Sequence, residues 1–254
     1  MSDPPIDPFD EIDAGYLSAA DACVAIWDEL PLPIDVPVER LRKFRVCFPL
    51  LAHAMNHVAT ALEIRQRRPF VAASSSRVAF ENALSAQWVL LTHNGEEQLI
   101  RAVQYQWLTR VKDVSAAIGH PEELAEIVAT EPVTGELRSW SMTKICARFS
   151  DTSLFYDVYR DLSQAIHPSF GLIQAHVDLA HDDRSVIDRT GSAKSLNSTA
   201  QALGLSAVLA LDALERMRQD SVLLARVEAI ATKAHLPHDL TLSDMEPHLQ
   251  RPSA

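Results

Sequence analysis

Glycine is scarce, with 7 in 254 residues. Few positions can therefore take a left-handed backbone cheaply, and no glycine-rich phosphate loop is present. The three cysteines, Cys23, Cys47 and Cys146, have no paired spacing, which excludes a disulfide framework or a multi-cysteine zinc site. Each lies in a segment with helical apolar periodicity, so all three are expected as reduced core residues. No apolar run approaches the length of a membrane span. The opening MSDPPIDPFDEID is acidic and proline-rich, the reverse of a secretory signal. The expectation is a soluble, cytoplasmic protein with no membrane partner. Net positive charge is lacking too: the formal charge of −11 excludes a broad nucleic-acid-coating surface, which needs many cationic phosphate contacts. A small basic pocket on an acidic body remains open.

What is present is alanine, leucine and helical periodicity. Apolar residues recur three and four apart, and no strand-like alternation runs far, so the fold class expected is all-α. The spacing predicts one helical bundle of about six to eight helices over 13–234, after a flexible acidic arm at 1–12 and before a tail at 235–254. A first helix should run from about Ile12 to Leu30 and stop at the Pro31/Pro33 pair. A second extends from after Pro37 to about Arg67, with Phe44, Cys47, Phe48, Leu51, Met55, Val58 and Leu62 as its main stripe. Pro69 opens a third, which ends near Asn94-Gly95. Further helices are expected from Glu96 to about Ile118, Glu122 to Ala129, around Ser139 to Phe149, from Ser153, and over about Leu196 to Met217 and Ser221 to Ala234. Residues 176–195 read as an exposed loop.

The densest chemistry lies just before Ser169. At about 100° per residue, Tyr156, Arg160, Ser163 and His167 share one narrow stripe. Phe155, Val158, Leu162 and Ile166 form an apolar stripe beside it. Pro168 disfavours helical geometry at His167, which places the imidazole at or past the helix end, near unpaired carbonyls. A guanidinium and a titratable imidazole on one face make an anion site. A second feature lies in SSRVAFENALSAQWVLL, where Arg77 and Glu81 share the stripe of Leu84, Trp88 and Leu91. Charges on a core-facing stripe require partners, so Arg77 and Glu81 should meet each other or Arg160, His167 or Tyr156.

The spacing of Arg160 and His167, with Asp161 directly after the arginine, resembles the signature of the HEPN superfamily. Taken with Arg77 and Glu81, the run Tyr-Arg-x-Leu-Ser-x-x-x-His-Pro-Ser is also similar to a bacterial family of uncharacterised helical proteins. The resemblance covers roughly Pro69 to Ser169. It implies a HEPN-like bundle core, a homodimer, and an RNA-directed protein, in many members a metal-independent endoribonuclease of a toxin or antiphage system with a protein partner such as an antitoxin. Arg160 and His167 would then be catalytic: Arg160 stabilises charge on the scissile phosphate and His167 is general acid or base. Tyr156, Ser163, Arg77 and Glu81 would support them, and neither metal nor cofactor is called for.

The rival reading is a non-catalytic helical binding or scaffold protein that keeps Arg77, Glu81, Arg160 and His167 as an internal network. His53 and His57 have the spacing of a helical zinc pair without a base or third ligand nearby, which favours core or interface histidines. The acidic stretch from His176 to Asp183 could bind a cation, but a solvated loop explains it as well.

Overall fold

The structure, a computed structural model, describes residues 8–118, 141–150, 152–167, 169, 172, 173, 176–178, 186, 187 and 198–242. Among these the chain forms eight α-helices: α1 (Pro8–Asp28), α2 (Leu41–Ile64), α3 (Pro69–Leu91), α4 (Gly95–Ile118), α5 (Met142–Cys146), α6 (Thr152–Ile166), α7 (Ser198–Met217) and α8 (Leu224–Lys233). The all-α bundle read from periodicity is what forms. A two-residue antiparallel ladder, Val177–Asp178 with Val186–Ile187, interrupts the stretch expected as a loop. The expected helix at 122–129 lies outside the described residues. No helix among the described residues is long and apolar enough to cross a membrane.

Two helices carry the core. In α7 every residue except Thr199, Gln201 and Arg216 is buried, because small residues alternate with leucines and let neighbours approach on all sides. The helix α3 is nearly as enclosed and packs on α2, α7 and α6. Close approach is strictest at Gly204, where an added Cβ would lie 2.8 Å from the Tyr16 carbonyl oxygen and 3.1 Å from Leu236 Cδ1. Gly204→Ala should therefore force α1 away from α7 and cost about 1–3 kcal/mol of stability. An unchanged denaturation midpoint would show the two helices to be looser than this. Cys23, Cys47 and Cys146 are buried and unbridged, and burial pushes the first two thiols up to about 12 and the third to about 11.

The chain from 235 onward is not all tail. Leu236, Leu240 and Leu242 are buried, and Leu242 bridges Phe149 in a short antiparallel contact. Ser150 bonds the Thr241 carbonyl at 3.0 Å through its hydroxyl and at 3.2 Å through its backbone N–H. Spacing does not disclose this because Leu242 breaks the four-residue step of Leu236 and Leu240. The chain thus packs with the bundle through Leu242, eight residues beyond the expected 234.

The end of α7 is held by charge. Glu215 accepts the Leu223 N–H at 3.2 Å, and Arg218 grips Asp220 through two bonds of 2.8 and 2.6 Å. Burial lifts Glu215 above its ordinary 4.5, whereas the Arg218 bond lowers Asp220 below its ordinary 3.8. The signs oppose. Asp220 contributes stability that is complete above 3.8 and lost as pH falls through its lowered folded value. Glu215 favours the protonated fold, so its contribution improves as pH falls through its raised value. The stability gap between wild type and Asp220→Asn should thus close below pH 3.8, measured by denaturant titration across pH. A gap constant down to pH 2 would remove Asp220 from the acid limb.

Candidate functional site

The site forms where α6 crosses α3. Both helices present their apolar sides to one another: Phe155, Val158 and Leu162 from α6 meet the Phe80 and Leu84 region of α3 in one core. Ile166, expected on this stripe, is 39% exposed, whereas Ala165 beside it is buried. The polar residues bordering this contact are then brought edge to edge. His167 sits just past the end of α6, its N–H bonded to the Ser163 carbonyl at 3.1 Å. That is the position the following proline implies.

Arg77 is the centre of the constellation. Its Nε donates to Glu81 Oε1 at 2.7 Å, one helical turn along α3. Its Nη2 donates to the Tyr159 hydroxyl at 3.2 Å, and the guanidinium carbon lies 4.9 Å from the centre of the Tyr159 ring. Its Nη1 lies 3.4 Å from His167 Nε2. A guanidinium has no acceptor, so in this contact the imidazole accepts and carries its proton on Nδ1. The Arg77 side chain is only 14% exposed against 35% for Glu81, so a partly desolvated arginine is held by acid, phenol and imidazole together.

The other expected site residues stand apart from this centre. Arg160 is 57% exposed and pairs with Asp157 at 3.3 Å. Asp157 lies toward the start of α6, whereas His167 lies seven residues toward its end, about 10 Å along the axis. The guanidinium is therefore drawn away from the imidazole. An exposed pair of this kind contributes little to stability. Tyr156 remains on the solvent side, 39% exposed. Ser163 donates its hydroxyl to the Tyr159 carbonyl at 2.6 Å, a bond within its own helix. Asp161 accepts from the Ser198 hydroxyl at 2.7 Å and so ties α6 to the start of α7. Ser169 caps the turn after His167, bonding the Gln164 carbonyl at 2.7 Å and accepting the Leu172 N–H at 3.0 Å.

Tyr159 is the residue that spacing missed. It lies roughly 60° around the helix from Tyr156, toward the core. On that border an aromatic ring can pack while its hydroxyl stays with the polar set. It is also the tyrosine that opens the Tyr-Arg-x-Leu-Ser run, a signal that was available.

His53 and His57 meet edge to face with ring centres 4.5 Å apart. Burial, then the neighbouring His53, lowers the His57 pKa. No group of three or more potential metal ligands occurs among the described residues. Most of the acidic stretch from His176 to Asp183 lies outside them.

Beside Arg77 opens a cavity of about 560 Å³. Comparison of the chain with protein-family models, with curated proteins and with solved structures gives no match. The functional reading therefore rests on the residues themselves.

Proposed function

We propose that the chain is a HEPN-like, RNA-directed protein that holds a backbone phosphate between Arg77 and His167 and cleaves RNA without a metal. The observation that supports it most is the 3.4 Å approach of guanidinium and imidazole from two different helices, at the edge of an open cavity. A phosphate entering there takes the Arg77 donor for itself and frees the Nε2 lone pair of His167. The planar guanidinium suits several phosphate oxygens at once and opposes the charge that builds on phosphorus. His167 then takes the proton of the substrate's 2′-hydroxyl, whose oxygen attacks the adjacent phosphorus. The bond to the 5′-oxygen breaks, that oxygen takes a proton from water, and a 2′,3′-cyclic phosphate remains. Glu81 and Tyr159 act through Arg77 as positioning residues.

This reading moves the phosphate contact from Arg160 to Arg77. A homodimer, a cytoplasmic setting and a neutralising protein partner accompany it as parts of the proposal. The second reading, a non-catalytic binding or scaffold protein, draws on one specific observation: Nε, Nη1 and Nη2 of Arg77 each already have an internal partner.

RNA cleavage in EDTA separates the two. Wild type and Arg160→Ala should cleave, and Arg77→Ala and His167→Ala should not, with all four folded by circular dichroism. Equal turnover in all four would remove Arg77 and His167 from the chemistry. No turnover in a folded wild type would favour the scaffold. Loss confined to Arg160→Ala and His167→Ala would restore Arg160 as the phosphate contact.

A further inference from the structure

The cavity beside Arg77 is built for something other than a second anion. Five helices close around it. Apolar walls come from Leu50 on α2, Leu99 and Val103 on α4 and Met142 at the start of α5. Among the described residues that line it, Arg77 is the one cation, and it reaches His167. The remaining lining groups are neutral amides and hydroxyls, together with the Glu81 carboxylate. A volume of about 560 Å³ falls within the range of small-ligand sites, about 300–1,000 Å³.

The α3 wall has a definite polarity. A carboxylate can only accept hydrogen bonds, and Glu81 lends one oxygen, Oε1, to Arg77. The adjacent Asn82 spends one amide hydrogen on the Val78 carbonyl at 2.8 Å, which leaves its carbonyl oxygen to accept and its second N–H to donate. Across the cavity, Gln106 from α4 contributes an amide of either polarity. A ligand that satisfies this wall is flat enough to lie between aliphatic side chains and carries N–H donors on its edge.

We infer that this cavity seats a nucleobase bearing an exocyclic amino group, adenine, cytosine or guanine in preference to uracil, from the nucleotide whose phosphate sits at Arg77 and His167. The inference rests on the phosphate site proposed above and adds a base subsite to it. Single-stranded RNA suits it because its bases can be turned out of a stack and read on their edges. Side-chain carboxylates and amides discriminate bases through such edges. Uracil offers a carbonyl oxygen where cytosine offers an amino group, and it would set that acceptor against the Glu81 carboxylate.

The full chain titrated calorimetrically with CMP, UMP and inorganic phosphate tests this. CMP should bind at least about tenfold more tightly than UMP, the scale of one edge contact, and more tightly than inorganic phosphate. Gln106 is exposed, so Gln106→Trp should fold and fill the cavity; it should bring CMP down to the affinity of inorganic phosphate and leave phosphate binding unchanged. CMP and UMP binding alike, or CMP unaffected by Gln106→Trp, would overturn the base subsite while the phosphate site stands. Absence of binding by all three probes would overturn both.

Discussion

Asp212→Ala should lower stability by about 3 kcal/mol, the lower end of the cost of breaking a buried ion pair. In a chain of this size that is a fall in melting temperature of about 6 °C. The Asp212 side chain is 1% exposed and receives Arg216 Nε at 2.8 Å and Gln87 Nε2 at 2.9 Å. It therefore joins α7 to α3 in the bundle interior. Its removal leaves the 10%-exposed guanidinium of Arg216 with one acid, Asp239, itself 55% exposed. Gln87 keeps the Leu209 carbonyl but loses its second acceptor. Asp212→Asn should cost less, since its amide can still accept from Arg216 and can donate to Gln87 Oε1, which is buried without a partner. Differential scanning calorimetry ranks the three proteins, and a loss below 1 kcal/mol in Asp212→Ala would mean that packing alone sets the α3–α7 junction.

The other large effect belongs to Arg77→Lys, expected to slow RNA cleavage at least 100-fold, on the scale of losing one pre-set electrostatic contact. The substitution keeps the charge and the aliphatic stem and discards the planar fork. Three nitrogens of Arg77 reach three different groups, at 2.7, 3.2 and 3.4 Å, while the plane lies over Tyr159. An ammonium has no comparable fixed arrangement; drawn to Glu81, it abandons the place beside His167. Circular dichroism and melting should change little, since Arg77 borders the core rather than filling it. The measurement is kcat/KM on one RNA for both proteins. A loss of threefold or less would show that positive charge suffices at this position, whatever its geometry.

How far the chain's residues disclose this arrangement differs from one feature to the next. Helices α2, α3 and α7 follow from apolar spacing because each buries a face too broad to be mistaken. The meeting of Arg77 with Glu81 and His167 follows from the cost of charges on a stripe otherwise bound for the interior. Arg160 shows where spacing stops. Periodicity gives the azimuth of a side chain around its helix, but a long flexible arginine has neighbours on both sides, and here Asp157 captures it. Tyr159 escapes the spacing rule because it lies on a border, where sorting positions into apolar and polar faces is weakest. The base-sized cavity has no signature in any single segment. Its lining comes from five helices, and only their packing brings Leu50, Asn82, Gln106 and Tyr159 together.

The bonds from Ser150 to Thr241 reach across 91 residues, and with the pairing of Phe149 and Leu242 they hold the segment that follows the short helix supplying Met142 to the cavity. A gene cut to end at Ala234, where composition alone would place the stop, encodes every catalytic candidate and still removes this rear buttress. Ligand affinity in such a shortened protein should suffer before its helix content does.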